Sequence, residues 1–291
     1  MMNIRANSLA TWVAKNRWVR RLGVLTTPDI GYVNWRSWKF FVYLKDWSGP
    51  SFHVLRWGVD SYENHAYETL KLLATPQSVF IDIGANIGIF SFRLVRDIPG
   101  IQIFGFEPES FAFSCIEKTI VANNIKNISA YKVAVSDKAT SAVLFSDGAN
   151  AGGHSLDAQS ILGDGSTISA ENIVSTTSLD IFSLDKNLNR LDLVKIDVQR
   201  HELSVLKGAV QTFKKFRPIV LMECYLAELE DSEKTLFKPF LDLGNYKIFD
   251  PISSRTYSFD ELSLIAKNAK GDYYRDLFFV PNEKINLLPK V

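Results

Sequence analysis

The sequence predicts an α/β fold: a doubly wound sheet of seven strands with helices on both faces, preceded by a small module of different composition. Three observations predict it. Short apolar runs at 79–83, 101–106, 128–135, 192–198 and 218–223 alternate with stretches of helical spacing, the order that lays strands side by side with helices between them. The stretch Val79-Phe80-Ile81-Asp82-Ile83-Gly84-Ala85-Asn86-Ile87-Gly88-Ile89-Phe90 reads as a buried strand, a tight glycine turn and a helix start. All six tryptophans (Trp12, Trp18, Trp35, Trp38, Trp47 and Trp57) fall in the first 57 residues, which separates an accessory module at 1–60 from the main domain at 61–291.

In chain order, residues 8–22 carry Leu9, Trp12, Val13, Val19 and Leu22 at loose helical spacing with basic residues between them. Such a helix packs on the domain surface or docks on a membrane or an acidic partner. From Lys39 to Trp57, apolar and polar residues alternate around Asp46-Trp47-Ser48-Gly49-Pro50, a hairpin-like pattern. Its tryptophans either cement a small β-layer or stack on the apolar face of a sugar. Tyr62 to Leu73 reads as a helix, 79–83 and 101–106 as the first two strands, 111–123 as an amphipathic helix, and 128–135 as a third strand. Between 140 and 177 the pattern changes to a short strand around Val143-Leu144-Phe145, a glycine-rich loop over 147–155 and a strand near Ile173-Val174. Loops of that length are usually functional or disordered. The fourth strand spans 192–198 with a helix over 203–213, and the fifth spans 218–223. A helix at 233–243, the break Gly244-Asn245, and strands at 246–249 and 277–280 complete the sheet.

Composition narrows the function classes. The 291 residues are 46% hydrophobic, enough for one large domain and an appendage. Lys and Arg number 33 against 32 Asp and Glu, a net charge of +1, so no overall field favours nucleic acid. No apolar run reaches the length of a membrane span, and the N-terminus lacks the apolar core of a signal peptide, so a cytoplasmic location is expected. Cys115 and Cys224 are too few for a disulfide framework and read as buried thiols. Five basic residues and no acidic one precede Asp29, which leaves peripheral membrane contact through the N-terminus open.

The glycine turn is where a nucleotide-like ligand belongs. Gly84 and Gly88 let the backbone around Ala85 and Asn86 approach a ligand, and the helix start presents unpaired N–H groups to it. Asp82, at the strand end, suits a cation such as the amino group of a methionyl moiety. Glu107-Pro108 closes the second strand 23 residues past Gly84, where doubly wound folds hydrogen-bond a ribose diol. Ser136 and Asp137, ending the third strand, would face an adenine. The spacing fits NAD or S-adenosylmethionine; the Gly-x-x-x-Gly spacing, Asp82 and the proline after Glu107 favour the second. His154 in the glycine-rich loop titrates near neutrality and could take a proton from a substrate hydroxyl. Asp197, His201 and Glu202 at the fourth strand end face the reacting centre of such a fold. Glu223 would neighbour Asp197, a pair able to share a proton, hold a divalent cation or orient an acceptor hydroxyl.

Together, Asp82-Ile83-Gly84-Ala85-Asn86-Ile87-Gly88, Phe106-Glu107-Pro108, Ala134-Val135-Ser136-Asp137, Ser178-Leu179-Asp180, Val194-Lys195-Ile196-Asp197-Val198 with His201-Glu202, Leu206-Lys207-Gly208-Ala209, Pro218-Ile219-Val220-Leu221-Met222-Glu223 and Leu277-Phe278-Phe279-Val280-Pro281 resemble, in order, the FkbM-type methyltransferase family over about residues 62–282. The resemblance implies a Rossmann-like class I methyltransferase sheet, S-adenosyl-L-methionine as cofactor, and O-methylation of a hydroxyl on a saccharide or other small-molecule acceptor. It also places Tyr67-Glu68 at the family's short Tyr-Glu element near the cofactor or substrate mouth. One motif departs: Gln199-Arg200 stands where the family carries Glu-Gly, so a carboxylate is lost and a cation gained. Arg200 would then read an anionic acceptor, or the protein would be a non-catalytic cofactor-binding scaffold. An NAD-dependent oxidoreductase is the remaining alternative.

Overall fold

The computed structural model describes residues 28–147, 150, 152–163, 167–269 and 274–289. The basic helix expected at 8–22, with Trp12 and Trp18, lies outside them. Among the described residues, no helix is long and apolar enough to cross a membrane.

Strands β1 (Ile30–Trp35) and β2 (Trp38–Tyr43) form an antiparallel hairpin whose turn follows Trp35, with Arg36 at φ +54°. The sequence pattern placed a hairpin turn at 46–50; that segment instead opens helix α1 (Pro50–Trp57). Asp46 accepts from the Gly49 and Ser51 N–H groups at 2.8 Å each, satisfying donors that a helix start leaves open, and Pro50 has no N–H to satisfy. Helix α2 (Asn64–Leu73) then leads to β3 (Val79–Ile83), α3 (Ile89–Asp97), β4 (Gln102–Phe106), α4 (Ser110–Ala122) and β5 (Ile128–Tyr131).

After β5 the chain leaves the main sheet. The expected strand 128–135 is split, because β6 (Ala134–Val135) pairs with β8 (Ile168–Thr177), which also pairs with β7 (Thr140–Asp147). Helix α5 (Ala158–Gly163) lies between β7 and β8. Helix α6 (Leu179–Asp185), β9 (Leu193–Ile196), α7 (Glu202–Lys207), α8 (Val210–Phe216), β10 (Ile219–Tyr225) and α9 (Leu226–Glu230) follow. The chain ends through α10 (Lys238–Leu243), β11 (Tyr246–Asp250), β12 (Arg255–Tyr257), α11 (Leu262–Asn268) and β13 (Tyr274–Pro281).

The main sheet runs β12-β11-β13-β10-β9-β3-β4-β5, eight strands rather than seven. The extra strand is β12: Asp250 accepts the Ile252 N–H at 2.9 Å, Ser254 adopts φ +55°, and the chain folds back antiparallel on β11. Strands β10, β9, β3, β4 and β5 are parallel, and β13 inserts antiparallel between β10 and β11.

Alternate residues of each central strand serve opposite layers, as a sheet buried on both faces requires. Phe80, Leu193 and Phe278 join one apolar cluster, and their neighbours Ile81, Val194 and Phe279 join the other. The hairpin belongs to the first of these layers. Phe40 packs edge-on against Phe92 of α3 at 5.7 Å, and the Phe41 N–H donates to Thr119 Oγ1 of α4 at 3.0 Å. Trp35 is buried there, whereas Trp57 is 55% exposed. Cys115 and Cys224 are free and buried.

Candidate functional site

Between β3 and β9 the connections depart in opposite directions, and a cavity of about 1170 Å³ opens at the carboxyl ends of the strands. One end of it is the glycine turn. Gly84 has φ +75°, and a Cβ there would sit 1.8 Å from the Asp197 carbonyl oxygen, so no side chain fits where β3 crosses the end of β9. The Gly84 and Ala85 N–H groups both donate to Phe106 O at 3.0 Å. Gly88, at φ +81°, caps α3.

Glu107 straps this turn to β4. Its carboxylate accepts the Asn86 N–H at 2.8 Å on one oxygen and the Glu109 N–H at 2.8 Å on the other. Burial pushes its pKa up to about 8 against those two donors. Asp82 is 1% exposed; Ser91 Oγ donates to its Oδ2 at 2.6 Å, while Oδ1 has no partner among the described residues. Burial raises its pKa too, with Lys195 and Ser91 opposing. A buried acceptor without a donor is costly unless a ligand supplies one. Pro108 and the run Val133-Ala134-Val135 continue the wall. Ser136 and Asp137 lie just past this run and do not line the cavity. Ser136 Oγ donates to Asp137 Oδ1 at 3.2 Å and lies 2.9 Å from His201 Nε2.

The floor is polar. Lys195 Nζ donates to Asp197 Oδ2 at 2.7 Å, and Gln199 Nε2 donates to both Asp197 Oδ1 at 3.0 Å and Glu223 Oε2 at 2.9 Å. The expected neighbourhood of Asp197 and Glu223 is therefore present, with an amide between them. Among the described residues, no group of three or more His, Cys, Asp or Glu has metal-holding geometry. Burial disfavours the Lys195 ammonium, but Asp197, Asp82 and Glu63 outweigh it and hold the charge. Burial, with Asp197, Asp276, Glu202 and Glu63 around it, pushes the Glu223 carboxyl well above the ordinary carboxylate range. Arg200 is exposed, with its guanidinium 4.3 Å over the Tyr225 ring. Gln199 and Arg200 both adopt positive φ (53° and 69°), a strain of about 1–3 kcal/mol each for residues with a side chain.

Of the three histidines that line the cavity, His53, His154 and His201, the last two differ in chemistry. His154 Nδ1 accepts the Asp147 N–H at 3.0 Å, so its ring proton sits on Nε2, a donor in the cavity wall. Because Ser136 donates to Asp137, His201 Nε2 donates to Ser136, leaving Nδ1 with the lone pair. Burial lowers both imidazoles, His154 against Glu109 and Asp147, His201 against Asp137 and Asp157, and keeps them neutral.

Besides Gly88, Ser136 and Asp137, three more residues singled out in the sequence do not line the cavity. Tyr67 is buried with its hydroxyl donating to Asp97 at 2.8 Å, and Glu68 is exposed beside Lys71. Glu202 turns back to the Val198 N–H at 3.0 Å, with burial raising its pKa to about 8. The Tyr-Glu pair that reaches the cavity is Tyr62-Glu63, five residues earlier, and the same dipeptide could have flagged it. Sequence reading also missed Phe52 and His53, which form the mouth with Trp47 and Trp57, and Tyr225 and Tyr274 on the far wall.

A doubly wound sheet with this strand order, a glycine turn and two carboxylates at its carboxyl edge is the Rossmann-like class I methyltransferase architecture. The family model for the methyltransferase FkbM domain matches residues 82–261, more than half of the chain, and the chain belongs to that family. Among curated proteins it is 26% identical over 172 residues to Methyltransferase sdnD of Sordaria araneosa, covering 50% of this chain and 65% of that protein. It is 24% identical over 144 residues to Methyltransferase 1 of Beauveria bassiana, covering 45% and 58%. The matches thus span less than two thirds of these relatives' own length. Among solved structures, the methyltransferase FkbM from Methylobacillus flagellatus aligns with a TM-score of 0.48 at 14% identity, over 78% of this chain and 52% of that one. TYW2 of M. jannaschii in complex with AdoMet aligns with a TM-score of 0.42 at 10% identity, over 87% and 85%.

Proposed function

We propose that the protein is an S-adenosyl-L-methionine-dependent methyltransferase acting on a hydroxyl oxygen of a small-molecule acceptor, with saccharides the first class to test. The observation that carries this reading is one continuous cavity whose glycine-turn end meets the needs of the cofactor and whose other end is an aromatic mouth. At about 1170 Å³ it exceeds a typical single-ligand pocket of roughly 300–1,000 Å³, leaving room for cofactor and acceptor together.

The residues present fit the cofactor. The partnerless Asp82 Oδ1 takes the methionyl ammonium, Glu107 accepts from the ribose diol, and the bare backbone at Gly84 allows close approach. When bound, the cofactor supplies an electrophilic methyl on a sulfonium, transferred by in-line displacement. What the chain contributes is alignment and exclusion of water. His154 Nε2–H donates to the acceptor and Glu223 lies beside it, while Asp197 and His201 Nδ1 are the sites able to take the hydroxyl proton. Trp57, held against Phe52 and His53, offers a face to the apolar side of a sugar ring.

The deciding experiment is calorimetric titration with S-adenosylmethionine and, separately, with NAD, on the wild type, Asp82→Ala and Glu107→Ala. Micromolar binding of S-adenosylmethionine, weakened about a hundredfold in each variant, is expected. Failure of folded wild type to bind S-adenosylmethionine would overturn the reading, and NAD binding in its place would indicate redox chemistry. Cofactor binding without methyl transfer to any sugar or other hydroxyl acceptor would favour a scaffold.

A further inference from the structure

Gln199 sits where three elements meet. Its amide lies between Asp197 at the end of β9 and Glu223 of β10, and its carbonyl oxygen accepts Ser155 Oγ–H at 2.6 Å, tying the glycine-rich loop to the floor. Carboxylates at neighbouring strand ends repel one another unless a proton, a cation or an N–H donor stands between them. We propose that the side-chain amide of Gln199 takes the place of a divalent cation between Asp197 and Glu223, so that this pair aligns the acceptor without metal. The role assigned to the pair rests on the methyltransferase reading; the bridge itself does not.

The orientation of the amide is set chemically. Nε2 carries two hydrogens and directs one to each carboxylate, while Oε1 accepts from the Tyr225 hydroxyl at 3.3 Å. Turned over, the amide would point its oxygen at both carboxylates and its donors at a hydroxyl. The left-handed backbone at Gln199 and Arg200 brings the side chain inward to this position and is held there by Ser155. Lys195 supplies the charge that Asp197 needs on its other oxygen, so both Asp197 oxygens are engaged. Glu223 takes part through Oε2 and lines the cavity.

A carboxylate at 199 would reverse this arrangement. Gln199→Glu removes both donors and sets a third carboxylate between Asp197 and Glu223, the kind of oxygen ligand a hard cation takes. The test is calorimetric titration of the full chain, without cofactor, with Mn²⁺ and with Mg²⁺. It compares wild type, Glu223→Gln, Gln199→Glu and the double variant Gln199→Glu/Glu223→Gln, with circular dichroism and melting to verify folding. Wild type should show no saturable binding up to about 1 mM, while Gln199→Glu should bind Mn²⁺ at least about tenfold more tightly and melt higher in its presence. The double variant should lose that gain. Saturable Mn²⁺ binding by wild type that Glu223→Gln abolishes would overturn the proposal, as would a folded Gln199→Glu without any gain. Should Gln199→Glu not fold, the wild-type titration decides alone. Failure of the methyltransferase reading shows itself separately, as absence of heat with S-adenosylmethionine.

Discussion

At Gly84 the glycine requirement comes from a carbonyl on another strand: a Cβ would stand 1.8 Å from Asp197 O with the backbone at φ +75°. Gly84→Ala should therefore lose about 3 kcal/mol or more, from strain and overpacking together, measured by denaturant unfolding. Glu107 makes a different prediction. Burial raises its pKa to about 8, so the carboxyl holds its proton at neutral pH. Diol donors from a ribose would stabilise the anion, so binding near pH 7 should release a proton. Calorimetry in buffers of different ionisation enthalpy should show that release, and Glu107→Gln should abolish it. That Asp82, Gly84 and Glu107 meet at one cavity was legible in the sequence, because their places follow from contiguous residues at strand ends. Tyr67-Glu68 was misplaced because two Tyr-Glu pairs flank the start of α2. Which one faces the cavity depends on Glu63 taking φ +42° as the residue before the helix, and no local signal marks that.

The β1–β2 hairpin is joined to the sheet layer through α4. Thr119 Oγ1 accepts the Phe41 N–H and donates to Cys115 O at 2.8 Å, and both bonds are buried. Thr119→Val keeps the volume but strands a buried N–H, so it should cost about 2 kcal/mol in thermal or denaturant unfolding. Element boundaries depart from the sequence pattern where a cap or a distant strand outcompetes local alternation. Alternating residues from Lys39 to Trp57 look like a hairpin, but the Asp46 cap and Pro50 favour a helix start. The strand expected at 128–135 breaks because Ala134 and Val135 find hydrogen-bonding partners in β8, more than thirty residues later. Neither competition is visible in a window of local pattern. At the mouth, Trp57→Ala should raise the acceptor KM several-fold while leaving cofactor affinity unchanged, since Trp57 lies on α1, away from the glycine turn.

Over the whole molecule, buried carboxyls set the response to pH. Glu107 and Glu202 are each raised by burial from an ordinary value near 4.5 to about 8, so the folded protein binds their protons more tightly than the unfolded chain. The stability they contribute is complete below about pH 4.5 and is lost as pH rises through about 8. The melting temperature of the cofactor-free protein should fall across that window, and Glu202→Gln, which retains an oxygen for the Val198 N–H, should flatten the fall. By itself the sequence determined the α/β class, the glycine turn, the carboxylates at the strand ends and the family, because each resides in a short contiguous stretch whose periodicity or chemistry is local. Tertiary structure alone decided the eighth strand, the second small sheet, the aromatic mouth and the placement of the Gln199 amide between Asp197 and Glu223. These depend on which strand ends become neighbours and on which buried donors find acceptors, and both are settled only when distant segments pack together.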